Sequence, residues 1–304
     1  NHGGTEMGQG LYIKIAQVVA STFEIDVDHI KISATNTGKV PNTSATAASS
    51  GSDLNGMAAH DAAQQIKARM TKVAADHFEV DEGEIEFRNN HIYAGNQGIP
   101  FSELAKLTWE NRVSLSATGF YSTPKIAWDS ETMTGRPFYY FSYGAAVSEV
   151  AIDTLTGESR VLRTDILQDC GRSLNPAIDL GQIEGAFVQG MGWLTMEELW
   201  WDETGNLKTH GPSTYKIPGS RDVPPEFNVH ILEDAPNREP TIFRSKAIGE
   251  PPLMLALSVW LAIRDAVSSL SDHSLLPALN SPATAEAILT AVDDIRSRMD
   301  NGNG

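Results

Sequence analysis

Three short segments of this 304-residue chain carry residue types that can bind an anion or move a proton. The first is Gly3-Gly4-Thr5-Glu6-Met7-Gly8-Gln9-Gly10. Glycines lack a Cβ atom and let backbone amides approach a ligand closely, and a helix that begins just after them offers its positive end to an anion. An ordinary glycine-rich turn explains the same spacing equally well, so both interpretations stay open.

The second segment is a run of small, mostly hydroxyl-bearing residues at 43–52, with the sequence TSATAASSGS. Such residues cap helices, and their hydroxyl groups also donate to phosphate oxygens. A simple N-cap region with small side chains for close packing is the plainer interpretation, and the pattern by itself favours it.

The third segment is Lys246-Ala247-Ile248-Gly249-Glu250-Pro251-Pro252. The two prolines fit the first turn of a helix, where their missing amides cost nothing, so Glu250 stands at or just before a helix N-terminus. The helix dipole favours the charged carboxylate and apolar burial opposes it, and a carboxylate balanced in this way is a good general base. A Glu that only caps the following helix is the commoner alternative.

Composition excludes several classes of function. The chain has 23 Lys and Arg against 39 Asp and Glu, a formal net charge of −16 that repels nucleic-acid phosphates. Its single cysteine, Cys170, cannot form an internal disulfide, a four-cysteine zinc site or an iron–sulfur cluster within this chain. Any redox centre must therefore be a cofactor held mainly by groups other than thiolates. Residues 213–216, STYK, match a β-lactamase motif whose partner motifs are missing.

The longest apolar run and the N-terminus of the chain indicate where the protein is expected in the cell. The run at 251–263 has 13 residues and stops at Arg264, which is too short to cross a bilayer. The N-terminus lacks the features of a signal peptide, so a cytoplasmic location is expected. The chain starts at Asn1, directly before the glycine segment, and this indicates a fragment or a chain whose upstream part is missing.

Periodicity and turn residues predict an α+β fold with two lobes, in which long helices accompany mixed strands. The spacing predicts helices over 11–24, 53–78, 101–110, 179–198, 251–270 and about 281–298. It predicts strands over 29–34, 84–93 (a pair around Asn89-Asn90), 113–121, 139–153, 158–168 and 226–233. The segment 122–137, dense in Thr, Pro, Gly and charge, is the best candidate for a linker or lobe boundary.

Six blocks together resemble the molybdopterin-binding region of the molybdenum hydroxylases, the family of xanthine dehydrogenases and aldehyde oxidases. They are 3–10, 41–56, 141–153, 163–192, 211–218 and 245–253. The resemblance runs from Gly3 to about Ala287, and Glu250-Pro251-Pro252 resembles xanthine dehydrogenases more than aldehyde oxidases. It implies the two-lobed molybdopterin-binding domain, with a first lobe at 1–127 and a second at 128–304 that carries the catalytic Glu.

The resemblance also implies a cofactor and a site. Molybdenum is held by the dithiolene of a pterin rather than by protein ligands, and Cys170 matches no metal ligand. Glu250 matches the general base that takes a proton from the metal's hydroxo group before hydroxylation of an electron-poor ring carbon. The positions that match contacts to the pterin and its phosphate are Met7, Gly8, Gln9, Ala48, Ser49, Ser50, Gly51, Ser52, Gln189 and Gly249.

For the complete enzyme, the resemblance implies oxidation of hypoxanthine and xanthine to urate. Electrons would pass through 2Fe–2S centres and FAD to NAD on other domains or subunits. The residues that clamp the purine lie upstream of Asn1 in this family, so we expect a partner chain or a missing stretch that carries them, in a hetero-oligomer or a dimer. Another molybdenum hydroxylase, of the aldehyde oxidase type, and a non-catalytic pterin-binding module are the alternatives.

Overall fold

The computed structural model describes residues 1–39 and 43–302, so Pro41 and Asn42, which open the second of the six blocks, lie outside the described residues. The chain forms two compact units. The first comprises Asn1–Phe141, Arg172–Asn175 and Pro236–Ala247, and the second comprises Ser142–Gly171, Pro176–Ala235 and Ile248–Gly304. Helices and three separate sheets confirm the predicted α+β class. The lobe boundary at residue 127 stays a prediction.

The first unit contains three α-helices, a three-stranded antiparallel sheet and a short hairpin. Its elements are α1 (Leu11–Phe23), α2 (Gly51–Phe78), β1 (Ile85–Arg88), β2 (His91–Ala94), β3 (Gln97–Pro100), α3 (Phe101–Glu110), β4 (Ala127–Asp129) and β5 (Thr134–Arg136). The predicted turn at Asn89-Asn90 joins β1 to β2, and both residues adopt the positive φ, 49° and 64°, that such two-residue turns need. The buried core of this unit includes Met70, Ile92 and Leu104.

The second unit places helices against a mixed sheet of order β6-β7-β8. Its elements are β6 (Gly144–Ile152), β7 (Ser159–Gln168), α4 (Pro176–Thr195), β8 (Glu226–Ile231), α5 (Leu257–Ser268) and α6 (Ala285–Gly302). Strand β6 pairs antiparallel with β7, and β8 pairs parallel with β7. The core is formed mainly by aliphatic residues and includes Ile183, Phe187, Ile263 and Ile295.

The third sequence segment leads into a continuous helical stretch. A 3₁₀ turn over Pro251–Ala256 precedes α5, and the stretch Pro251–Ser271 has 21 residues with a mean hydropathy of 1.5. By length and composition alone it could cross a membrane, but the core helix of a soluble protein passes the same test. Val259 and Val267 are fully buried in the core, whereas Leu261 is 52% exposed, so this stretch also presents an apolar side chain outside the core.

Two predicted strands are wrong. The segment 113–121 forms no strand because side chains of α2 take its carbonyl groups: Arg69 donates to Ser114 O and Ser116 O, both at 2.9 Å, and Gln65 donates to Thr118 O at 3.4 Å. The segment 29–34 begins in a 3₁₀ turn and has no partner strand within 1–39 and 43–302. In both cases the alternating pattern fits an extended chain, but the neighbour that would complete a sheet is missing from the described residues.

The last helix and the predicted linker also differ from the prediction. The last helix begins at Ala285 rather than near Ser281-Pro282, because Thr284 supplies the cap and its hydroxyl accepts the Ala287 N–H at 3.2 Å. The predicted linker at 122–137 contains the β4–β5 hairpin. Glu239 anchors this region through Lys125 at 2.7 Å and Arg136 at 2.8 Å.

Candidate functional site

The glycine segment of the first unit folds around the carboxylate of Glu6. Its Oε1 accepts the N–H groups of Gly8 at 2.8 Å and Gly10 at 3.0 Å, and its Oε2 accepts the Tyr12 N–H at 2.9 Å. Partial burial pushes the pKa of Glu6 upwards, but these backbone donors outweigh it and hold the pKa below its ordinary value. The chain's own carboxylate therefore occupies the Tyr12 amide in the first turn of α1 and the Gly8 and Gly10 amides in the loop before it.

The predicted cofactor contacts in this loop remain at its surface. Gln9 closes the loop on itself, since its Oε1 accepts the Met7 N–H at 2.6 Å and its Nε2 donates to Thr5 O at 2.8 Å. Gly8 has a φ of 100°, which favours glycine, and beyond its two chain neighbours no described residue has an atom within 4 Å of where its Cβ would be. Met7 is 67% exposed. The backbone around Gly8 is thus held in place by Glu6 and Gln9 and stays open to a ligand on one side.

We expect Glu6→Gln to lower the stability of the protein by about 0.5–2 kcal/mol near neutral pH, the range for loss of a helix cap. Gln offers one acceptor oxygen instead of two and carries no charge. Because the pKa of Glu6 is lowered, its ionised form stabilises the fold above its ordinary value of 4.5, and this contribution is lost as pH falls through the lowered pKa. Thermal unfolding of both proteins across pH measures the difference, which should shrink in acid.

The control for this prediction is Glu103→Gln, which changes an exposed carboxylate in the first turn of α3. We expect a change within about 0.5 kcal/mol for such a surface position. Equal losses of stability in the two variants would contradict the role given to Glu6. So would a loss of stability for Glu6→Gln that does not vary with pH.

The structure brings the small-residue run and the glycine segment together within the first unit. The Thr5 N–H donates to Thr46 Oγ1 at 2.8 Å, and a Cβ on Gly3 would lie 2.0 Å from Thr43 Oγ1. Ala48 and Ser49 both adopt left-handed backbone conformations, with φ of 56° and 53°. Such conformations cost about 1–3 kcal/mol each and persist where the surroundings require them.

The N-terminus of α2 differs from that of α1. Its N-cap residue, Ser50, donates its hydroxyl to Ala47 O at 3.0 Å and makes no side-chain capping bond within the part of the chain that the structure describes. Gly51 and Ser52 begin the helix, and Gly51 packs its backbone against the Leu11 side chain. Small side chains, hydroxyl groups and the first-turn amides therefore form the donor set at this end of α2.

A short hydrogen-bond chain starts in the first turn of α2. Tyr140 Oη donates to Asp53 Oδ2 at 2.5 Å and accepts the Ala247 N–H at 2.8 Å. Burial raises the pKa of Asp53 to about 6, although the Tyr140 hydrogen bond opposes this rise. Burial and the neighbouring Asp53 carboxylate raise the pKa of Tyr140, so its hydroxyl keeps its proton.

The remaining predicted residues lie in the second unit, on two elements that contact each other. Gln189 is exposed on α4, and next to it a Cβ on Gly190 would lie 2.4 Å from Leu253 O and 2.8 Å from the Ala256 Cβ. Glu250 is exposed at the N-cap of the 3₁₀ turn, and its carbonyl accepts the Leu253 N–H at 3.0 Å. The backbone of α4 therefore touches the same turn that carries Glu250 and Gly249.

Sequence reasoning missed four residues that shape these elements: Glu6, Asp53, Tyr140 and Gly190. Glu6 lies inside a motif that was identified, but its role in capping α1 depends on the fold of the loop. Asp53 could have been found from the sequence, because the first turn of a helix often carries an acidic residue. No pattern in the sequence points to its partner Tyr140.

Residues 1–224 match the family model of the molybdopterin cofactor-binding domain. The chain belongs to this family. Among similar proteins, a xanthine dehydrogenase from Dictyostelium discoideum is 50% identical over 299 residues, which cover 96% of this chain and 20% of that protein. A xanthine dehydrogenase/oxidase from Gallus gallus is 49% identical over 301 residues, which cover 98% of this chain and 21% of that protein. This cofactor-binding chain thus spans about a fifth of the length of the curated relatives it matches.

Parts of distantly related proteins of known structure share the fold of this chain. The CO dehydrogenase from Oligotropha carboxidovorans matches with a TM-score of 0.82 and 23% identity, covering 97% of this chain and 35% of that one. Quinoline 2-oxidoreductase from Pseudomonas putida 86 matches with a TM-score of 0.79 and 23% identity, and the match covers 96% of this chain and 36% of that one. The recognised family and the α+β fold of its cofactor domain are confirmed.

Proposed function

We propose that this chain is the part of a xanthine dehydrogenase that binds the molybdenum cofactor and supplies the catalytic base for hydroxylation of a purine. The observation that carries the proposal is the identity of 50% with a xanthine dehydrogenase over 96% of the chain. Within this proposal, the complete enzyme converts hypoxanthine and xanthine to urate. The lobes at 1–127 and 128–304 are those of its molybdenum domain.

The donor set of the first unit fits the pterin and phosphate of this cofactor. The phosphate group needs amide and hydroxyl donors, and the first turn of α2 offers the amides of Gly51 and Ser52 and the Ser52 hydroxyl, next to Ala48, Ser49 and Ser50. The backbone at Met7, Gly8 and Gln9 would hold the pterin, with the amide of Gln189 pairing with its ring donors and acceptors.

Glu250 is proposed as the general base. When bound, the molybdenum cofactor supplies the oxygen-transfer and two-electron chemistry that the side chains of this chain lack. Glu250 takes up a proton at its carboxylate oxygen during the hydroxylation step and releases it afterwards. Gly249, which has no side chain, directly precedes the base. The 3₁₀ turn that follows sets the direction of the Glu250 backbone.

The complete enzyme also needs parts beyond this chain. We propose that an upstream half of the molybdenum domain provides the purine-binding residues, and that a 2Fe–2S and FAD domain or subunit accepts the electrons and passes them to NAD. A dimer or hetero-oligomer in the cytoplasm belongs to the same proposal. The length of the relatives, about five times that of this chain, supports the presence of further domains.

The test is purification of the complete enzyme, followed by molybdenum and phosphate analysis and assays with xanthine, hypoxanthine and an aldehyde. We expect about one molybdenum per copy of this chain and urate as product. Absence of both molybdenum and pterin phosphate would overturn the enzyme assignment in favour of a non-catalytic module. Oxidation of the aldehyde without oxidation of xanthine would overturn the purine assignment and leave an aldehyde oxidase type.

A further inference from the structure

One tyrosine joins two segments of the first unit that lie far apart in sequence. Tyr140 Oη donates to Asp53 Oδ2 at 2.5 Å, and the same oxygen accepts the Ala247 N–H at 2.8 Å. Asp53 is the third residue of α2, next to the predicted phosphate contacts at 48–52. Ala247 is three residues before Glu250 in the chain. A single hydroxyl therefore connects the proposed cofactor-binding helix end to the segment that leads to the proposed base.

The segment before Ala247 is itself held by buried hydrogen bonds. The Ser245 carbonyl accepts hydrogen bonds from the Thr241 hydroxyl at 2.6 Å and from Asn237 Nδ2 at 3.1 Å. All three residues are 5% exposed or less. These bonds fix the chain up to Ser245, and the Tyr140 bond fixes it at Ala247, the last residue that this segment contributes to the first unit. The Ala247 N–H therefore ties the chain to Tyr140 at the residue where it leaves the first unit.

We propose that Tyr140 and Asp53 are positioning residues for the base: they hold the Ala247 backbone to the first turn of α2, and Ala247 in turn anchors the short peptide segment that leads to Glu250. This inference rests on the proposed function. Neither residue touches the reacting atoms in this scheme. Their effect is on geometry, and an error of about 1 Å in the position of a catalytic group can cost about 100-fold in rate.

The substitutions that test this link differ in which hydrogen bond they remove. Tyr140→Phe removes both the donor to Asp53 and the acceptor of the Ala247 N–H. Asp53→Ala removes the acceptor that orients the Tyr140 hydroxyl. Asp53→Asn keeps an oxygen at the same place, so Tyr140 can still donate and still hold Ala247.

The experiment uses the complete enzyme and measures kcat per bound molybdenum, KM for xanthine, molybdenum and pterin content, and the thermal unfolding temperature. For Tyr140→Phe and for Asp53→Ala we expect kcat per molybdenum to fall about 10- to 100-fold while KM changes less than about threefold. The kcat per molybdenum of Asp53→Asn should stay within about threefold of that of the wild type. The kcat per molybdenum of the double variant Tyr140→Phe/Asp53→Ala should be at most about threefold lower than that of either single variant, because both substitutions break the same link.

The matched control is Tyr215→Phe, which removes a comparable tyrosine–carboxylate bond, Tyr215 Oη to Glu197 Oε2 at 2.6 Å, in the second unit. We expect it to leave kcat per molybdenum within about twofold of the wild type, because neither residue is placed at the site. A fall in the unfolding temperature of both Tyr140→Phe and Asp53→Ala with an unchanged kcat per molybdenum would show a purely structural role and overturn the proposal.

Two outcomes separate this inference from the proposed function. A wild-type enzyme without molybdenum or xanthine turnover refutes the function itself. A wild-type enzyme that turns over xanthine, with Tyr140→Phe equally active per molybdenum, refutes only the positioning role. If Tyr140→Phe does not accumulate as folded protein, the comparison of Asp53→Asn with Asp53→Ala decides: equal kcat per molybdenum in these two variants overturns the proposal, and a difference of about 10-fold or more supports it.

Discussion

Replacing Glu250 with Gln in the complete enzyme is expected to lower kcat for xanthine by about 10²- to 10⁴-fold or more, the loss typical of a removed general base. Gln has the same shape as Glu but cannot take up a proton at neutral pH. Glu250 is exposed at the N-cap of the 3₁₀ turn, so the substitution leaves the surrounding core unchanged. The cofactor contacts proposed at 48–52 lie in the first unit, and we expect molybdenum and pterin content to stay as in the wild type.

The measurement is the rate of the reductive half-reaction with xanthine, scaled to bound molybdenum. The matched control is Glu184→Gln, an exposed carboxylate on α4 in the same unit, which should stay within about twofold of the wild type. Near-normal reduction of Glu250→Gln by xanthine would remove Glu250 from the role of base. Loss of molybdenum in that variant would instead point to a role in holding the cofactor.

The largest effect on stability is expected for Gly190→Ala. The new Cβ would lie 2.4 Å from Leu253 O, a backbone atom that cannot move away as a side-chain end can, and 2.8 Å from the Ala256 Cβ. Either α4 or the 3₁₀ turn over Pro251–Ala256 must shift. Overpacking of this kind costs about 1–3 kcal/mol. Because Leu253 N–H donates to Glu250 O, a shift of the turn also moves the base, and kcat per molybdenum should fall about 10-fold or more.

The control lies on the same helix. Apart from its chain neighbours and the adjacent backbone of α4, nothing described comes within 4 Å of where a Cβ on Gly185 would be, and this residue is exposed. Gly185→Ala should therefore gain up to about 1 kcal/mol from the better helix propensity of Ala. Thermal unfolding and kcat per molybdenum compare the two variants. If Gly190→Ala is as stable as Gly185→Ala, the close approach of α4 to the Leu253 carbonyl does not hold in solution.

The sequence by itself determined those elements whose signal is local. The apolar spacing of α1 and the limits of α3 are confirmed, because a helix repeats its contacts every three or four residues and leaves that period in the sequence. The hairpin at Asn89-Asn90 is confirmed because two asparagines accept positive φ at little cost. The family is likewise confirmed, since its motifs are contiguous runs of residues.

Tertiary structure alone decided the features that join distant parts of the chain. Arg69 on α2 takes carbonyls that a strand at 113–121 would need, 45 and 47 residues away in sequence. Tyr140 reaches Asp53 across 87 residues and Ala247 across 107. Such contacts leave no period in the sequence, because only the fold brings the partners together. The glycine segment shows both contributions. Its residue types predict a ligand loop or an ordinary turn, and only the folded loop reveals that Glu6 accepts the N–H groups of Gly8, Gly10 and Tyr12.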